Sequence, residues 1–274
     1  MLYTHAMLGS FNINGRPIRV DFSLGESLAI PLNPHGEQPS FFVSDKATAE
    51  PLRQGEYIGS IRAGGSCNAE VIRFVPHSHG THTECVGHIL ETADTVQQVI
   101  DKQPGLARVI SITGTSPEDN PDEYQQDGER LVCRDEIQSQ LKSCDINDYH
   151  ALIIRSLPND PGKTSRNYAE QPHYPVLSRQ AVQWLAASKL LHLLIDMPSL
   201  DKADDHGKLA NHRAWWGLDG NRADVSSGAA GRSVTEMIFV PDQVEDGEYW
   251  LELQLSPIMS DACASRPVIY PLVK

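Results

Sequence analysis

The chain has little of what staples small secreted scaffolds or binds polyanions. Its five cysteines, Cys67, Cys85, Cys133, Cys144 and Cys263, are odd in number, widely spaced and without a CxxC pair. That pattern argues against both a disulfide framework and a thiolate zinc knuckle. Cationic residues are scarce, with 23 Lys and Arg against 36 Asp and Glu and a formal charge of -13. No basic stripe interleaved with aromatics offsets that mean, so nucleic acid is not an expected partner. No apolar run approaches the roughly eighteen residues of a membrane span, and the N-terminus lacks a basic start followed by an apolar stretch. Neither membrane association nor export is expected, which leaves the cytoplasm as the expected location.

What is present is an ordinary globular composition, 40% hydrophobic and 22% charged over 274 residues. A chain of that length buries a substantial core without covalent staples. The first hundred residues hold short β-type runs punctuated by Gly and Pro: RPIRVDFSL (16–24), GEYIGSIRAGG (55–65) and AEVIRFVP (69–76). Residues 113–131 are polar and acidic and read as an exposed connection, whereas 159–175 reads as either a lid or a surface excursion. YHALIIRSL (149–157) reads as a strand. From Ser178, a capping residue, Ala181, Val182, Leu185 and Ala186 recur at helical spacing and predict a helix ending near Lys189. LLHLLID (190–196) follows as a buried strand, with Asp196 where the run leaves the core. VTEMIFVP (234–241) and YWLELQLSP (249–257) are further strands joined by DQVEDGE, and RPVIYP (266–271) is a short terminal strand. Without a repeat or a long linker, a single mixed, sheet-rich α/β domain over 1–274 fits best.

The chemistry concentrates in PHSHGTHTECVGH (76–88), which holds four of the eleven histidines plus Glu84. It begins where a strand is expected to end, a common place for binding residues. Imidazole and carboxylate together suit a borderline divalent ion, zinc above all, with manganese or iron as alternatives. If 80–84 is extended, His82 and Glu84 project to one face and Cys85 to the other, which makes Cys85 a packed thiol. Gly80 permits a sharp turn or close approach, and Thr81 is placed to orient a ligand.

Read as Ser78-x-Gly80-Thr81-His82-x-Glu84-x-Val86-x-His88, this stretch resembles the HxGTHxDxPxH signature of the cyclase-like metal-dependent hydrolases, a family that includes bacterial kynurenine formamidase and isatin hydrolase. VDFSL (20–24), IDMPSLD (195–201) and SRPV (265–268) resemble three further family elements in the family's order. The resemblance covers about residues 16 to 272. It implies a sheet-rich swivelling β/β/α cyclase-like domain, with His82, Glu84, His212 and Glu236 as metal ligands and His88 as the acid/base group. Glu236 has separate support, because a carboxylate on an apolar strand is costly unless paired or coordinated. His212, beside Trp215 and Trp216, reads as a ligand only through the family resemblance.

Three departures from the signature bear on the site. Ser78 stands where the family has its first ligand histidine, Glu84 replaces aspartate, and Val86 replaces proline. Either His77 or His79 swings in for the missing ligand, or the site holds one ion on the remaining four donors; one or two ions per chain are thus open. Asp196 and Asp201 read as ligand-orienting or capping groups, and Arg266 as a substrate contact or an inner ion pair. The implied activity is hydrolysis of a non-peptide amide, formamide, lactam or ester in a small molecule by metal-activated water, in a homodimer or homotetramer. Two other readings stay open: a non-catalytic metal- or small-molecule-binding protein, and a metal-dependent dehydratase or isomerase of a small hydroxy acid.

Overall fold

The computed structural model describes residues 7–13, 15–43, 45–91, 94–101, 103–114, 130–218 and 229–273. The acidic connection expected at 113–131 therefore falls mostly outside the described residues. An N-terminal hairpin, β1 (Leu8–Ile13) and β2 (Arg16–Asp21), precedes the main sheet. That sheet is built from β3 (Glu26–Ser27), β4 (His82–Glu84), β5 (Gly105–Ile112), β6 (Ala151–Ser156), β7 (His192–Ile195), β8 (Ser233–Glu236), β9 (Gly247–Leu255) and β10 (Ala262–Pro271). Its order is β9-β5-β6-β7-β8-β4-β10-β3, and β9 also pairs with β10, so seven strands close into a barrel with β3 added outside. The mixed, sheet-rich α/β class expected from the sequence is the class observed.

β5 to β8 run parallel, and the strands on either side return antiparallel. Parallel strands covered on both faces read as continuous apolar runs, which is why ALII (151–154) and HLLI (192–195) lack alternation. Ala151 and Ile153 join a cluster that includes the strand residues Val109, Leu194 and Ile269. Leu152 and Ile154 face the other way, against the helix residues Ile137, Val182, Leu185 and Trp215. Those helices are α1 (Arg134–Gln140), α2 (Arg179–Ala186) and α3 (Ala210–Trp215). Ser178 caps α2 by accepting from the Ala181 amide, as its sequence position predicts, and α2 ends three residues earlier than Lys189. Among the described residues, no helix is long and apolar enough to cross a membrane.

Two expectations are corrected by the topology. β8 stops at Glu236 because Met237 takes a left-handed conformation, φ 52°. It pairs with β7 and β4, not with β9, so DQVEDGE is no hairpin turn between adjacent strands. Asp196 does not mark an exit from the core but is buried, with Lys163 as its partner.

His192 gives the fold a pH dependence. Burial, reinforced by the neighbouring His150 ring, holds the His192 imidazole down to about 3. Its Nδ1 pairs with Ser233 Oγ at 2.7 Å. The unfolded chain takes up this proton near pH 6.5 and the folded chain does not, so stability is full above that value. It should fall by about 1.4 kcal/mol per pH unit below it. Urea unfolding at pH 7 and pH 5 should show a loss smaller by about 2 kcal/mol in His192→Gln than in wild type; equal losses would remove His192 as the source.

Candidate metal centre

The segment 76–88 runs as a turn, a strand of the barrel and a second turn. Pro76–Ser78 forms one 3-10 turn and Val86–His88 another, with β4 between them. Gly80 has φ +79°, a conformation costly for residues with a Cβ, and its added Cβ would lie 3.2 Å from the Ile30 carbonyl oxygen. Thr81 Oγ1 accepts from the Ile30 amide and donates to the Met237 carbonyl, fastening this turn to the end of β8. The hydroxyl thus positions backbone next to Glu236 and is not bonded to the histidines.

β4 then presents His82 and Glu84 to one face while Thr83, on the other, bonds Thr235 and Ser265. Antiparallel register sets Glu236 of β8 opposite His82, and Ala262 of β10 opposite Glu84, which brings Asp261 alongside. His212 arrives from α3. Asp201 accepts from the amides of Asn211 and His212 and, through Oδ2, from His212 Nδ1 at 2.5 Å. It therefore both holds the start of the helix and fixes the ring, leaving Nε2 toward the centre.

The structure brings together His77, His82, Glu84, His88, His212 and Glu236. His212 Nε2 lies 2.7 Å from Glu84 Oε1 and 3.4 Å from Glu236 Oε1. His82 Nε2 is 3.3 Å from Glu236 Oε2, its Nδ1 being 3.2 Å from the Gly80 carbonyl. His77 Nδ1 is 2.9 Å from Glu84 Oε2, and His88 Nε2 is 3.9 Å from the same oxygen. Asp261 Oδ2 faces both rings, 2.8 Å from His77 Nε2 and 3.5 Å from His88 Nδ1. His77 and His88 stack with centroids 4.1 Å apart. Glu236 Oε1 also accepts from the Leu200 amide at 2.6 Å.

His79 stands outside this group. Its Nδ1 accepts from the Val75 amide and its Nε2 donates to the Asp45 carbonyl, so both ring nitrogens serve the backbone. Of the two histidines flanking Ser78, His77 alone reaches Glu84. Cys85 is a packed thiol beside Cys263, and burial pushes it up to about 12. Trp215 and Trp216 belong to the core, Asp21 caps the turn after β2, and Arg266 is exposed near Gln254.

The side chains of the cluster form a knot of opposed charges. Burial works against ionisation of Glu84, yet the imidazoles of His212, His88 and His77 hold it well below the usual carboxylate range. Glu236 is also lowered: burial and Glu84 oppose its charge, and His212 and His82 outweigh them. Burial likewise opposes charge on His212, which Glu84, Asp201 and Glu236 raise well above its ordinary value. His77 is pushed up to about 10 by Asp261 and Glu84 against the cost of burial.

Two observations fit this donor set to a cation. His82 Nε2, both oxygens of Glu84 and His212 Nε2 are buried, and none makes a well-formed hydrogen bond among the described residues. Such orphans are rare in folded proteins without a bound group. Three overlapping trios, His77–His82–Glu84, Glu84–His88–His212 and His77–His88–Asp261, also place their ligand atoms within 4.8 Å of one another.

Comparison with known proteins agrees with this architecture. The chain belongs to the putative cyclase family, which it matches over residues 26–202. Its fold is similar to that of isatin hydrolase A from Labrenzia aggregata, at 13% identity, covering 90% of this chain and 93% of that one with a TM-score of 0.61. Isatin hydrolase A from Ralstonia solanacearum aligns at 14% identity over 91% and 92% of the two chains, TM-score 0.59. A potential metal-dependent hydrolase with cyclase activity aligns at 13% identity over 90% and 98%, TM-score 0.58. The comparison with curated proteins gives no match.

Sequence reasoning missed Asp261, which lies just before β10 and contacts both His77 and His88. It also missed Lys163, buried against Asp196. Asp261 sits in SDACAS with no motif around it, so only strand register brings it to the centre. Lys163 lies in the polar stretch 159–175, where a lysine reads as surface; the stretch is largely exposed or half-buried but turns Lys163, Tyr168 and Tyr174 inward.

Proposed function

We propose that this chain is a metal-dependent hydrolase that opens an amide, formamide, lactam or ester bond in a small molecule. The observation that carries the reading is the buried convergence of His82, Glu84, His212 and Glu236, three of which hold ligand atoms that make no well-formed hydrogen bond among the described residues. These four would hold one divalent ion, and two imidazoles with two carboxylates suit zinc, with manganese or iron as alternatives. Bound there, the ion supplies a Lewis acid that polarises a carbonyl and acidifies water.

The chain's own groups divide the remaining work. Asp201 locks the His212 ring, and the Leu200 amide holds Glu236 Oε1. His77 is held between Glu84 and Asp261 on the side where the signature's first histidine is replaced by Ser78. His88, like His77, is a quarter exposed, whereas His82, Glu84, His212 and Glu236 are buried, so substrate and solvent can reach its ring. It would take a proton from water and return it to the leaving nitrogen or oxygen, a general acid–base role that imidazole side chains commonly fill. Family membership and a fold shared with isatin hydrolases support amide-type chemistry; they do not select the substrate.

A panel of small amides, formamides, lactams and esters, assayed with chelated and metal-reloaded protein, tests the reading. Turnover that disappears on chelation and returns with zinc or manganese is the expected result. Protein that carries stoichiometric metal yet leaves the whole panel intact would instead favour a binding protein on the same scaffold.

A further inference from the structure

The turn before β4 aims an imidazole at the centre from the position next to Ser78. Val75 opens this turn: its carbonyl accepts from the amides of Ser78 and His79, and its own amide donates to His79 Nδ1. With its Nε2 on the Asp45 carbonyl, His79 is wholly spent on backbone and locks the turn. The ring presented to the centre is therefore that of His77, one residue before Ser78. Its Nδ1 lies 2.9 Å from Glu84 Oε2, and it meets the His82 ring edge-on with centroids 5.3 Å apart. His77, His82 and Glu84 each bring a ligand atom within 4.8 Å of the others.

The other nitrogen of the ring is held by Asp261. His77 Nε2 donates to Asp261 Oδ2 at 2.8 Å, since a carboxylate can only accept. Asp261 is itself fixed just before β10: its carbonyl accepts from the Cys85 amide at 2.9 Å and its Oδ1 from Ser260 Oγ at 3.0 Å. His212 is held in the same way from α3, with Asp201 on Nδ1 at 2.5 Å and Glu84 Oε1 2.7 Å from Nε2. Each oxygen of Glu84 thus faces a ring that is backed by a carboxylate of its own. Metal-bound histidines commonly carry such a carboxylate, which fixes the tautomer and makes the ligating nitrogen more basic.

We propose that Asp261 is a positioning residue that holds His77 as a fifth ligand of the ion, bound through Nδ1 beside His82, Glu84, His212 and Glu236. The inference rests on the reading of this centre as a metal site and adds to it how the chain makes good the histidine that Ser78 replaces. Stability gives little reason for the arrangement. The side chains of His77 and Asp261 are 24% and 35% exposed, and ion pairs that water reaches contribute little. An imidazole fixed at one nitrogen, with the other directed at a buried carboxylate, is instead prepared for a ligand's task.

NMR of cobalt-substituted protein reads this directly. Each ligand imidazole keeps one ring N–H near the paramagnetic ion and gives one strongly shifted signal that is lost on exchange into D2O. Three such signals are expected in the wild-type protein, from His77, His82 and His212. His77→Ala should remove one of them, and Asp261→Ala should broaden or remove the same one by opening the His77 N–H to exchange with water. Zinc affinity, measured by competition with a chromogenic chelator, should fall about 10- to 100-fold in Asp261→Ala. Asp261→Asn keeps an oxygen for the Nε2–H and should lose less. In a His77→Ala background Asp261→Ala should add almost nothing, because the two residues act as a unit. Asp261 Oδ2 is also 3.5 Å from His88 Nδ1, so the loss should persist in a His88→Ala background if it runs through His77. Two shifted signals in the wild-type protein, or an equal fall in affinity with and without His77, would overturn this role for His77 and Asp261 alone. Failure to take up cobalt or zinc at all would sink the metal-site reading and this inference with it.

Discussion

Glu84→Gln should lose its divalent ion, with affinity falling by more than the roughly 10- to 100-fold typical when a group supporting a ligand is removed. Glu84 sits at the middle of the cluster, with Oε1 2.7 Å from His212 and Oε2 2.9 Å from His77 and 3.9 Å from His88. The amide keeps the size of the side chain but removes the charge and turns one acceptor into a donor facing other donors. It also removes one of two buried carboxylates that repel each other, since Glu84 is among the groups opposing ionisation of Glu236. The metal-free variant should therefore stay folded while its metal content falls, and elemental analysis alongside circular dichroism separates the two. Full retention of metal by a folded Glu84→Gln protein would remove Glu84 from the ligand set.

His88→Ala should do the opposite, keeping metal content near wild type while turnover falls by roughly 100-fold or more. His88 is the cluster member whose contacts with the carboxylates are longest, 3.9 Å to Glu84 and 3.5 Å to Asp261. Its ring stands 5.5 Å from that of His212, close enough to serve a reacting group at the centre without being needed to hold the ion. Elemental analysis with turnover on any substrate found in the panel decides the point. Metal loss in this variant would recast His88 as a ligand, and unchanged turnover would take it out of the mechanism.

The contrast between these variants reflects how differently the site was written into the sequence. His82 and Glu84 were legible because two residues apart on a strand means one face, and that local rule survives in β4. Glu236 was legible as a charge on an apolar strand. His212 was not legible from its own surroundings, since an imidazole beside two tryptophans fits a packed core equally well; the remote carboxylate of Asp201 is what aims it. The choice between His77 and His79 was beyond local reasoning because it depends on which backbone groups the turn leaves unpaired. His79 is taken by Val75 and Asp45, and His77 is left for Glu84 and Asp261.

The fold shows the same division. Runs such as ALII and HLLI announced buried strands, and Ser178 announced a helix start, because each signal is local. Partnering was not local. β8 and β9 follow each other in sequence, but β8 joins β7 in parallel and β4 antiparallel, which closes the barrel and sets Glu236 opposite His82. The buried pair Lys163–Asp196 was hidden for the same reason, since Lys163 reads alone as a surface charge and Asp196 as a ligand-orienting or capping group.

Anomalous diffraction from a crystal of zinc-loaded protein tests the central claim most directly. A peak within about 2.0–2.3 Å of nitrogen or oxygen donors on His82, Glu84, His212 and Glu236 is the result expected of a zinc site. No peak at this position after loading, or a peak held by other side chains while these four stay bonded to one another, would contradict it.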